Sequence, residues 1–263
     1  MIGIDIWIST LAPLLACTVA LWAVSLLLKN ASIIDIFWGL GFVVSFWLTY
    51  IQTSRNNNIT TILLGVLVTV WGLRLAIHIL LRSIGKGEDK RYAQFRANNA
   101  PHWWWSSLFK VFLLQGLLIW LISAPISIMQ VSPTPMRLIT TIGLLVWIIG
   151  FVFEAGSDWQ LMRFKSDPTN NDKLLTTGFW EITRHPNYFG DATQWWAFWL
   201  ISVTQATWWT IFSPILITIL LLNVSGVPIT EKSMRRDKPD YKYYIDNVPS
   251  FVPNFLNIFR SDK

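Results

Sequence analysis

The chain has 263 residues, of which 53% are hydrophobic and only 14% are charged. Soluble globular domains carry about 25% charged residues, so this sequence lacks the polar side chains needed to cover a water-exposed surface. The mean hydropathy is +0.44, and 17 residues are Trp, which is favoured at membrane–water interfaces. The composition therefore excludes an ordinary soluble domain and indicates an integral membrane protein.

Charge and cysteine content exclude further classes. The net charge is +6, but no basic helix or stacking platform stands clear of the apolar runs, so nucleic acid is not an expected partner. Cys17 is the one cysteine, and there are three His, so neither an intramolecular disulfide nor a metal centre is predicted. Membrane lipid and an apolar small molecule are the expected partners, and no protein partner is predicted.

Apolar runs of about 20 residues, long enough to cross a bilayer, recur along the chain. They are predicted at Ile6–Leu28, Ile33–Ile51, Thr60–Leu81, Phe109–Met129 and Leu138–Ser157, followed by a longer stretch from Asp191 to Val224. The last stretch holds two short spans if the polar Thr204-Gln205 pair forms a turn. Since no repeat or linker interrupts the sequence, we expect one domain over residues 1–263.

Charge distribution decides between six and seven spans. Lys29 follows the first run, and Lys and Arg cluster after the third, fifth and last runs, whereas the opposite side receives only Arg55 and Arg137. Seven spans with the N-terminus outside place every basic cluster in the cytosol, as the positive-inside rule requires. The predicted fold class is therefore all-α, a polytopic bundle of about seven transmembrane helices with a cytosolic C-terminus.

Polar residues inside these runs are the first candidates for function, because ionisable groups in a bilayer are costly. Asp35 opens the second span, and Arg74 and His78 lie at i and i+4 on one face of the third. Glu154 and Asp158 have the same spacing in the fifth span. We predict a buried polar cavity open to the cytosol, with Asp35, His78 and Arg74 as catalytic candidates; a purely structural ion network is the alternative.

A dense polar segment precedes the sixth span. Arg184-His185-Pro186-Asn187-Tyr188-Phe189-Gly190-Asp191 combines a cation, an imidazole, an amide, a phenol and a carboxylate. This composition suits an anionic, hydrogen-bond-rich ligand, although an interfacial loop ending in a helix cap explains it equally well. Basic residues clustered on the same predicted side could bind phosphates: Arg163, Lys165, Lys173, Arg235 and Arg236.

Several motifs of this region resemble those of a known family. The segments Gly178-Phe179-Trp180, Arg184 to Asp191, Ser225-Gly226-Val227-Pro228 and Val248 to Pro253 resemble the C-terminal region of the steroid 5-alpha-reductase family. Gly87 to Tyr92, after the third span, is also similar to that family. The resemblance includes bacterial membrane reductases of the 3-oxo-5-alpha-steroid 4-dehydrogenase type. It implies seven helices and a bacterial inner membrane location with a cofactor site facing the cytosol.

The implied reaction is NADPH-dependent reduction of a carbon–carbon double bond conjugated to a ketone, as in 3-oxo-Δ4-steroids. Under the resemblance, residues 1–131 supply the substrate-side helices and residues 138–263 form the cofactor-binding half. The positions that match the family and should line the NADPH pocket are Asp158, Lys165, Lys173, Asn187, Asp191 and Glu231. Further cofactor-binding candidates in the same half are Glu154, Arg163, Arg184, His185, Tyr188 and Tyr244. Asp35 matches the family's acidic residue and would contact the ketone. The family pairs this acid with a tyrosine from the third span, which is absent here, so His78 or Arg74 is the nearest substitute.

A second class shares part of the pattern. Isoprenylcysteine and phospholipid methyltransferases also show an Arg-His-Pro-x-Tyr loop before a helical hairpin, and they bind S-adenosylmethionine. The break at Ser225 to Pro228 fits the reductases better. The basic set Arg163, Lys165 and Lys173 also favours NADPH, which carries several phosphates where S-adenosylmethionine has none. A membrane scaffold that binds no cofactor is the third reading.

Overall fold

A computed structural model of the chain describes residues 3–53, 57–131, 135–238 and 240–259. Regular structure in those ranges is helical throughout. The α-helices are α1 Gly3–Ser9, α2 Leu11–Leu28, α3 Ile33–Gln52, α4 Ile59–Ser83, α5 Lys90–Asn98, α6 Trp103–Ser107, α7 Leu114–Ile122, α8 Ala124–Ile128, α9 Leu138–Ser166, α10 Phe179–Ile182, α11 Pro186–Ser202, α12 Phe212–Ile219, α13 Val227–Asp237 and α14 Tyr241–Asn247. Two π-helical turns, Leu108–Leu113 and Leu220–Val224, continue α6 into α7 and α12 towards α13.

Six of the described helical segments are long and apolar enough to cross a membrane. They are Gly3–Leu28, Ile33–Gln52, Ile59–Ser83, Trp103–Ile122, Leu138–Ser166 and Trp208–Arg236. The predicted sixth span corresponds to α11, which is not among these six; its 17 residues extend about 26 Å, less than the roughly 30 Å of a bilayer core. The multi-pass all-α class is confirmed, whereas the count of seven and the orientation stay predictions. Arg55, used in the charge argument, lies outside the described residues.

The turn predicted at Thr204-Gln205 is confirmed. Helix α11 ends at Ser202, and a 3-10 turn resumes at Trp208. The Thr204 N–H donates to Thr207 Oγ1 at 2.8 Å, and the Thr207 hydroxyl donates to the Ser202 carbonyl at 2.7 Å. These side-chain bonds satisfy backbone groups that the helix end leaves without partners. The last apolar stretch is therefore two helices rather than one.

The chain forms two compact units. The first comprises Met1–Arg137 and Ser202–Ser213, and the second comprises Leu138–Ile201 and Pro214–Lys263. This division is structural and assigns no function to either unit. The substrate and cofactor roles of the two halves therefore stay predictions.

The first unit is organised around the contact of α3 with α4. A Cβ built on Gly39 would lie 2.6 Å from the Gly72 carbonyl oxygen, and one built on Gly72 would lie 2.6 Å from the Gly39 oxygen. The two backbones approach this closely because neither position has a side chain, as is common between membrane helices. Phe42, Phe46 and Trp71 are fully buried around this contact. On the other side of α4, Val66, Leu73 and Ile77 are exposed, as lipid-facing residues would be.

In the second unit, glycines likewise allow helices α9 and α11 to approach each other closely. A Cβ on Gly190 would lie 2.4 Å from the backbone nitrogen of Glu154, and one on Gly150 would lie 2.7 Å from the Gly190 oxygen. A Cβ built on Gly143 of α9 would lie 2.7 Å from a side-chain carbon of Ile201 and 3.1 Å from its backbone nitrogen, on α11. The glycine contacts bring the polar residues of α9 against those of α11.

Candidate functional site

In the first unit, the carboxylate of Asp35 is the centre of a hydrogen-bonded cluster. Tyr92 Oη donates to Asp35 Oδ1 at 2.5 Å, and Arg91 Nη2 donates to Asp35 Oδ2 at 2.9 Å. Gln115 Nε2 donates to Tyr92 Oη at 3.0 Å. The Asp35 side chain is 20% exposed, and Tyr92 is buried. Helices α3 and α5 therefore supply the acid–phenol pair, and α7 supplies the amide that contacts it.

Local sequence explains why α5 lies against the start of α3. Asp89 caps α5, accepting from the Arg91 N–H at 2.9 Å, and its carboxylate also pairs with the Arg91 guanidinium at 3.0 Å. Glu88 Oε1 accepts the Ala31 N–H at 2.8 Å just before α3 begins, and it is paired with Arg96. These contacts dock the segment that carries Tyr92. Gly87 turns the chain into this segment with a φ of +69°, a backbone angle that residues other than glycine rarely adopt.

The electrostatics of α5 favour a protonated phenol beside a carboxylate. Burial, together with the negative charge of Asp35, raises the pKa of Tyr92 well above its ordinary value. Burial lowers the pKa of the Arg91 guanidinium, but the carboxylates of Asp35 and Asp89 outweigh it, so the net shift of that pKa is upward. Tyr92 thus keeps its proton and Arg91 its charge across the physiological pH range.

The other two catalytic candidates lie on α4. Arg74 and His78 are both partly buried and one turn apart, as the i, i+4 spacing predicted. The hydrogen bonds described for Asp35 come from Tyr92 and Arg91 instead. Asp35 therefore has a tyrosine partner, which lies on α5 rather than on the third span, where the resemblance places it. The catalytic roles of Arg74 and His78 stay predictions.

In the second unit, the carboxylates of α9 face amides of α11. Glu154 is 3% exposed, and its Oε2 accepts from Gln194 Nε2 at 2.5 Å. Asp158 is 6% exposed, and its Oδ1 accepts from Asn187 Nδ2 at 3.2 Å. The i, i+4 spacing therefore turns both acids towards the same neighbouring helix. Asp191, also on α11, is partly buried.

Arg184 holds the C-terminal segment in place. Its Nε and Nη2 donate to Glu231 Oε1 at 3.0 and 2.7 Å, and its Nη1 donates to the carbonyls of Ile245 and Val248. The Arg184 backbone N–H donates to the Pro249 carbonyl at 2.9 Å. Since most of its donors are used within the protein, Arg184 anchors the tail to the polar loop. Direct contact of Arg184 or Glu231 with a cofactor stays a prediction.

His185 and Tyr188 of the same polar segment contact each other through their rings. Their rings stack with centroids 5.3 Å apart, and Tyr188 Oη lies 3.0 Å from Thr230 Oγ1. His185 Nε2 is 3.4 Å from Glu231 Oε1. Burial, opposed by Glu231, lowers the pKa of His185 to about 4, so the imidazole is neutral at pH 7. Tyr244 is buried, and its hydroxyl donates to the Trp180 carbonyl.

The predicted phosphate-binding cations are on the surface of the second unit. Arg163, Lys165 and Lys173 are all exposed, and the Arg163 guanidinium lies 5.5 Å from the centre of the Trp159 ring. A groove of about 450 Å³ runs beside Trp159 and Arg163 and along the segment that follows α9. Arg163 lines this groove, whereas Lys165 and Lys173 are exposed but are not among its lining residues. An exposed guanidinium beside an aromatic ring is chemically compatible with a phosphate of NADPH, and contact of the three cations with that cofactor stays a prediction.

Sequence reasoning missed three members of the Asp35 cluster as functional residues. Arg91 and Tyr92 lie in the motif after the third span, and Gln115 lies in the fourth apolar run, where a single amide is not a distinctive signal. The available signal was the Glu88-Asp89 pair, whose capping propensity starts a helix that presents Arg91 and Tyr92 together.

Taken together, the helices and their polar clusters define a multi-pass membrane protein with a buried acid–phenol pair. A family model described as a protein of unknown function, DUF1295, matches residues 21–248, which is most of the chain. The protein therefore belongs to the DUF1295 family.

Two relatives of this chain come from Schizosaccharomyces pombe. An uncharacterised protein is 26% identical over 268 residues, covering 89% of this chain and 75% of the relative. A Delta(14)-sterol reductase is 31% identical over 106 residues, covering 34% of this chain. The second match spans only 25% of the sterol reductase, so its likeness is partial.

Proposed function

We propose that the protein is an integral membrane reductase that uses NADPH to reduce a carbon–carbon double bond conjugated to a ketone in an apolar substrate, such as a 3-oxo-Δ4-steroid. The observation that carries the proposal is the hydrogen bond of 2.5 Å between Tyr92 and Asp35 at the start of a predicted span. The partial likeness to a sterol reductase and the motif resemblance of the C-terminal region support the same class.

The acid–phenol pair suits the charge that this reaction develops. When bound, NADPH would supply the hydride that adds to the β-carbon, and negative charge would then build on the carbonyl oxygen. A donor aimed at that oxygen is commonly the largest catalytic contribution. Tyr92 is this donor in the proposal, because its phenol keeps its proton while Arg91 holds Asp35 as an acceptor.

This assignment revises the expectation that a protonated Asp35 donates to the ketone. The two contacts described for the Asp35 oxygens, from Arg91 Nη2 at 2.9 Å and from Tyr92 Oη at 2.5 Å, both come from donors, so Asp35 serves as the acceptor. As the enolate forms, the Tyr92 proton turns from Asp35 to the substrate oxygen, and Arg91 continues to neutralise Asp35. A proton from solvent completes the saturated ketone at the α-carbon, so that the enone, NADPH and one proton give the ketone and NADP⁺.

The test is NADPH oxidation by the detergent-solubilised protein against a panel of enones, with 3-oxo-Δ4-steroids first. Tyr92→Phe should lower kcat by about 100-fold, since it removes one oxyanion donor, and should leave the cofactor Kd unchanged. Tyr50→Phe is the matched control, because that hydroxyl bonds to Asn57 at the other end of α3. Full activity of Tyr92→Phe would refute the assigned donor.

A binding experiment separates the cofactor classes. The reductase should be retained on an immobilised adenosine 2′,5′-bisphosphate resin and released by NADPH, because the resin reproduces the phosphorylated ribose. Release by S-adenosylmethionine, or methyl transfer to a prenylcysteine or phospholipid acceptor, would instead support the methyltransferase reading.

A further inference from the structure

Gln115 makes a contact that the acid–phenol pair does not itself require. It is the second residue of α7, is partly buried, and its Nε2 lies 3.0 Å from Tyr92 Oη. We infer that Gln115 is a positioning residue that fixes the direction of the Tyr92 hydroxyl proton. The inference rests on the proposed reductase function for its catalytic consequence, but its structural part can be tested without it.

The argument follows from the hydrogen-bonding capacity of each group. A phenol has one proton to donate and lone pairs with which to accept, whereas an amide N–H can only donate. The amide of Gln115 therefore makes the Tyr92 oxygen an acceptor on one side. The phenol proton is left to Asp35 Oδ1, at 2.5 Å, on the other side. Each contact thus specifies the direction of the next one.

Arg91 favours the same direction of the Tyr92 proton through its contact with the other oxygen of Asp35. Its Nη2 occupies Asp35 Oδ2 at 2.9 Å, which leaves Oδ1 as the acceptor for Tyr92. If the Gln115 amide were reversed, its carbonyl oxygen would compete with Asp35 for the single phenol proton. With Asp35 as an acceptor, the cluster has one self-consistent orientation, from the Gln115 donor through Tyr92 to Asp35. In this orientation the phenol is held in place at its oxygen before a substrate arrives.

Two variants distinguish the hydrogen bond that Gln115 donates from the space that its side chain fills. Gln115→Leu removes the donor, and kcat should fall about tenfold at every pH with the cofactor KM unchanged, which is the pattern of a lost transition-state contribution. Gln115→Glu keeps the shape but changes the bonding with pH. The protonated acid can donate to Tyr92 as the amide does, whereas the carboxylate can only accept and competes with Asp35. Activity of Gln115→Glu should therefore approach wild type at low pH and fall as pH rises.

A control for simple burial of a glutamate is needed, because desolvation alone also makes a buried carboxylate pH-dependent. The thermal midpoints of Gln115→Glu and of Gln115→Glu/Tyr92→Phe should be measured across pH against their Gln115 parents. In the Tyr92→Phe background the oxygen is gone, so at least half of the pH dependence that Gln115→Glu adds should disappear. Gln94→Leu on α5, whose amide bonds to exposed Asn98, should leave both readouts unchanged.

The outcomes are distinct. Equal pH dependence with and without the Tyr92→Phe substitution, or an unchanged kcat for Gln115→Leu, would overturn the positioning role. If the wild-type protein reduces no enone at all, the proposed function fails, but the thermal comparison still decides whether Gln115 fixes the phenol. A pH-dependent midpoint that requires the Tyr92 hydroxyl supports the inference in either case.

Discussion

A carboxylate at the start of a membrane helix needs compensation, and Asp35 receives it from outside its own helix. Arg91 and Tyr92 reach it from a sequence distance of 56 and 57 residues, one at each oxygen. A buried charge without such partners would cost several kcal/mol, so removing Arg91 should harm the protein more than removing both charges together. The cluster is thus a unit whose members depend on one another.

Protonation of His185 should lower the stability of the folded protein at acid pH. Its pKa is 6.5 in an unfolded chain and about 4 in the folded protein, because burial disfavours the imidazolium. Between these values the unfolded state binds a proton that the folded state does not, so stability is complete above about pH 6.5 and is lost as pH falls towards 4. A difference of this size is worth on the order of 3 kcal/mol.

We therefore expect the thermal midpoint of the solubilised protein to fall as the pH is lowered from 6.5 to about 4. His185→Gln, which cannot charge, should have a lower midpoint at neutral pH and a flatter profile over the same range. A wild-type profile no steeper than that of His185→Gln would show that the imidazole is accessible to protons in the folded state.

Cofactor selectivity should depend on the exposed cations after α9. If Lys173 meets the 2′-phosphate, Lys173→Glu should raise the Kd for NADPH about tenfold or more while changing that for NADH little, because only NADPH carries the extra phosphate. Fluorescence titration of both nucleotides measures the ratio. Lys242→Glu, an equally exposed cation on α14, controls for net charge. Equal weakening of both nucleotides would move the 2′-phosphate contact away from Lys173.

The sequence allowed the acids of the candidate site to be predicted, but not which side chains donate hydrogen bonds to them. Asp35, Glu154 and Asp158 stand out because a carboxylate in an apolar run is costly. Tyr92 did not stand out, because a tyrosine in a polar segment is ordinary and its role depends on a contact between residues 57 positions apart. The use of Arg184 as an anchor was equally hidden, because its acceptors include backbone carbonyls, which any residue type provides.

At the scale of elements, the spans followed from hydropathy because bilayer thickness fixes the length of an apolar helix. The predicted ends were early where a helix continues into polar sequence, as for α9, which runs on to Ser166 rather than ending at Ser157. Helix pairing was not predictable, since it depends on where two backbones can approach. Gly39 and Gly72 mark such a point between α3 and α4.

This contact makes a graded prediction possible within one helix. In Gly39→Ala the new Cβ would lie 2.6 Å from a backbone oxygen of α4, which cannot move without displacing that helix. In Gly41→Ala the new Cβ would lie 2.7 Å from the terminal methyl of Ile119, which can rotate away. Overpacking typically costs about 1–3 kcal/mol, and we expect Gly39→Ala at the upper end and Gly41→Ala at the lower. Thermal midpoints in detergent compare the two, and equal losses would contradict the close α3–α4 contact.

At the scale of the whole molecule, the topology depends on whether α11 crosses the bilayer. Charge favours seven spans, because only then do Lys173, Lys232 and the other basic residues share the cytosolic side. Length argues the other way, since α11 extends about 26 Å against a core of roughly 30 Å. A shortfall of a few ångströms costs only fractions of a kcal/mol per ångström, through local thinning of the bilayer. The charge argument therefore outweighs the length argument, and we expect α11 to span.

The turn after α11 makes this expectation testable by thiol labelling. Cys17 is the one cysteine, so Cys17→Ser provides a background without thiols, into which Lys173→Cys or Gln205→Cys can be placed at exposed positions on either side of α11. With seven spans, a membrane-impermeant maleimide added to intact cells should label the Gln205→Cys variant directly and the Lys173→Cys variant only after permeabilisation. If α11 returned to the side from which it began, both variants would behave alike. The two patterns differ at Gln205 alone, because Lys173 precedes α11 and lies on the same side in either topology.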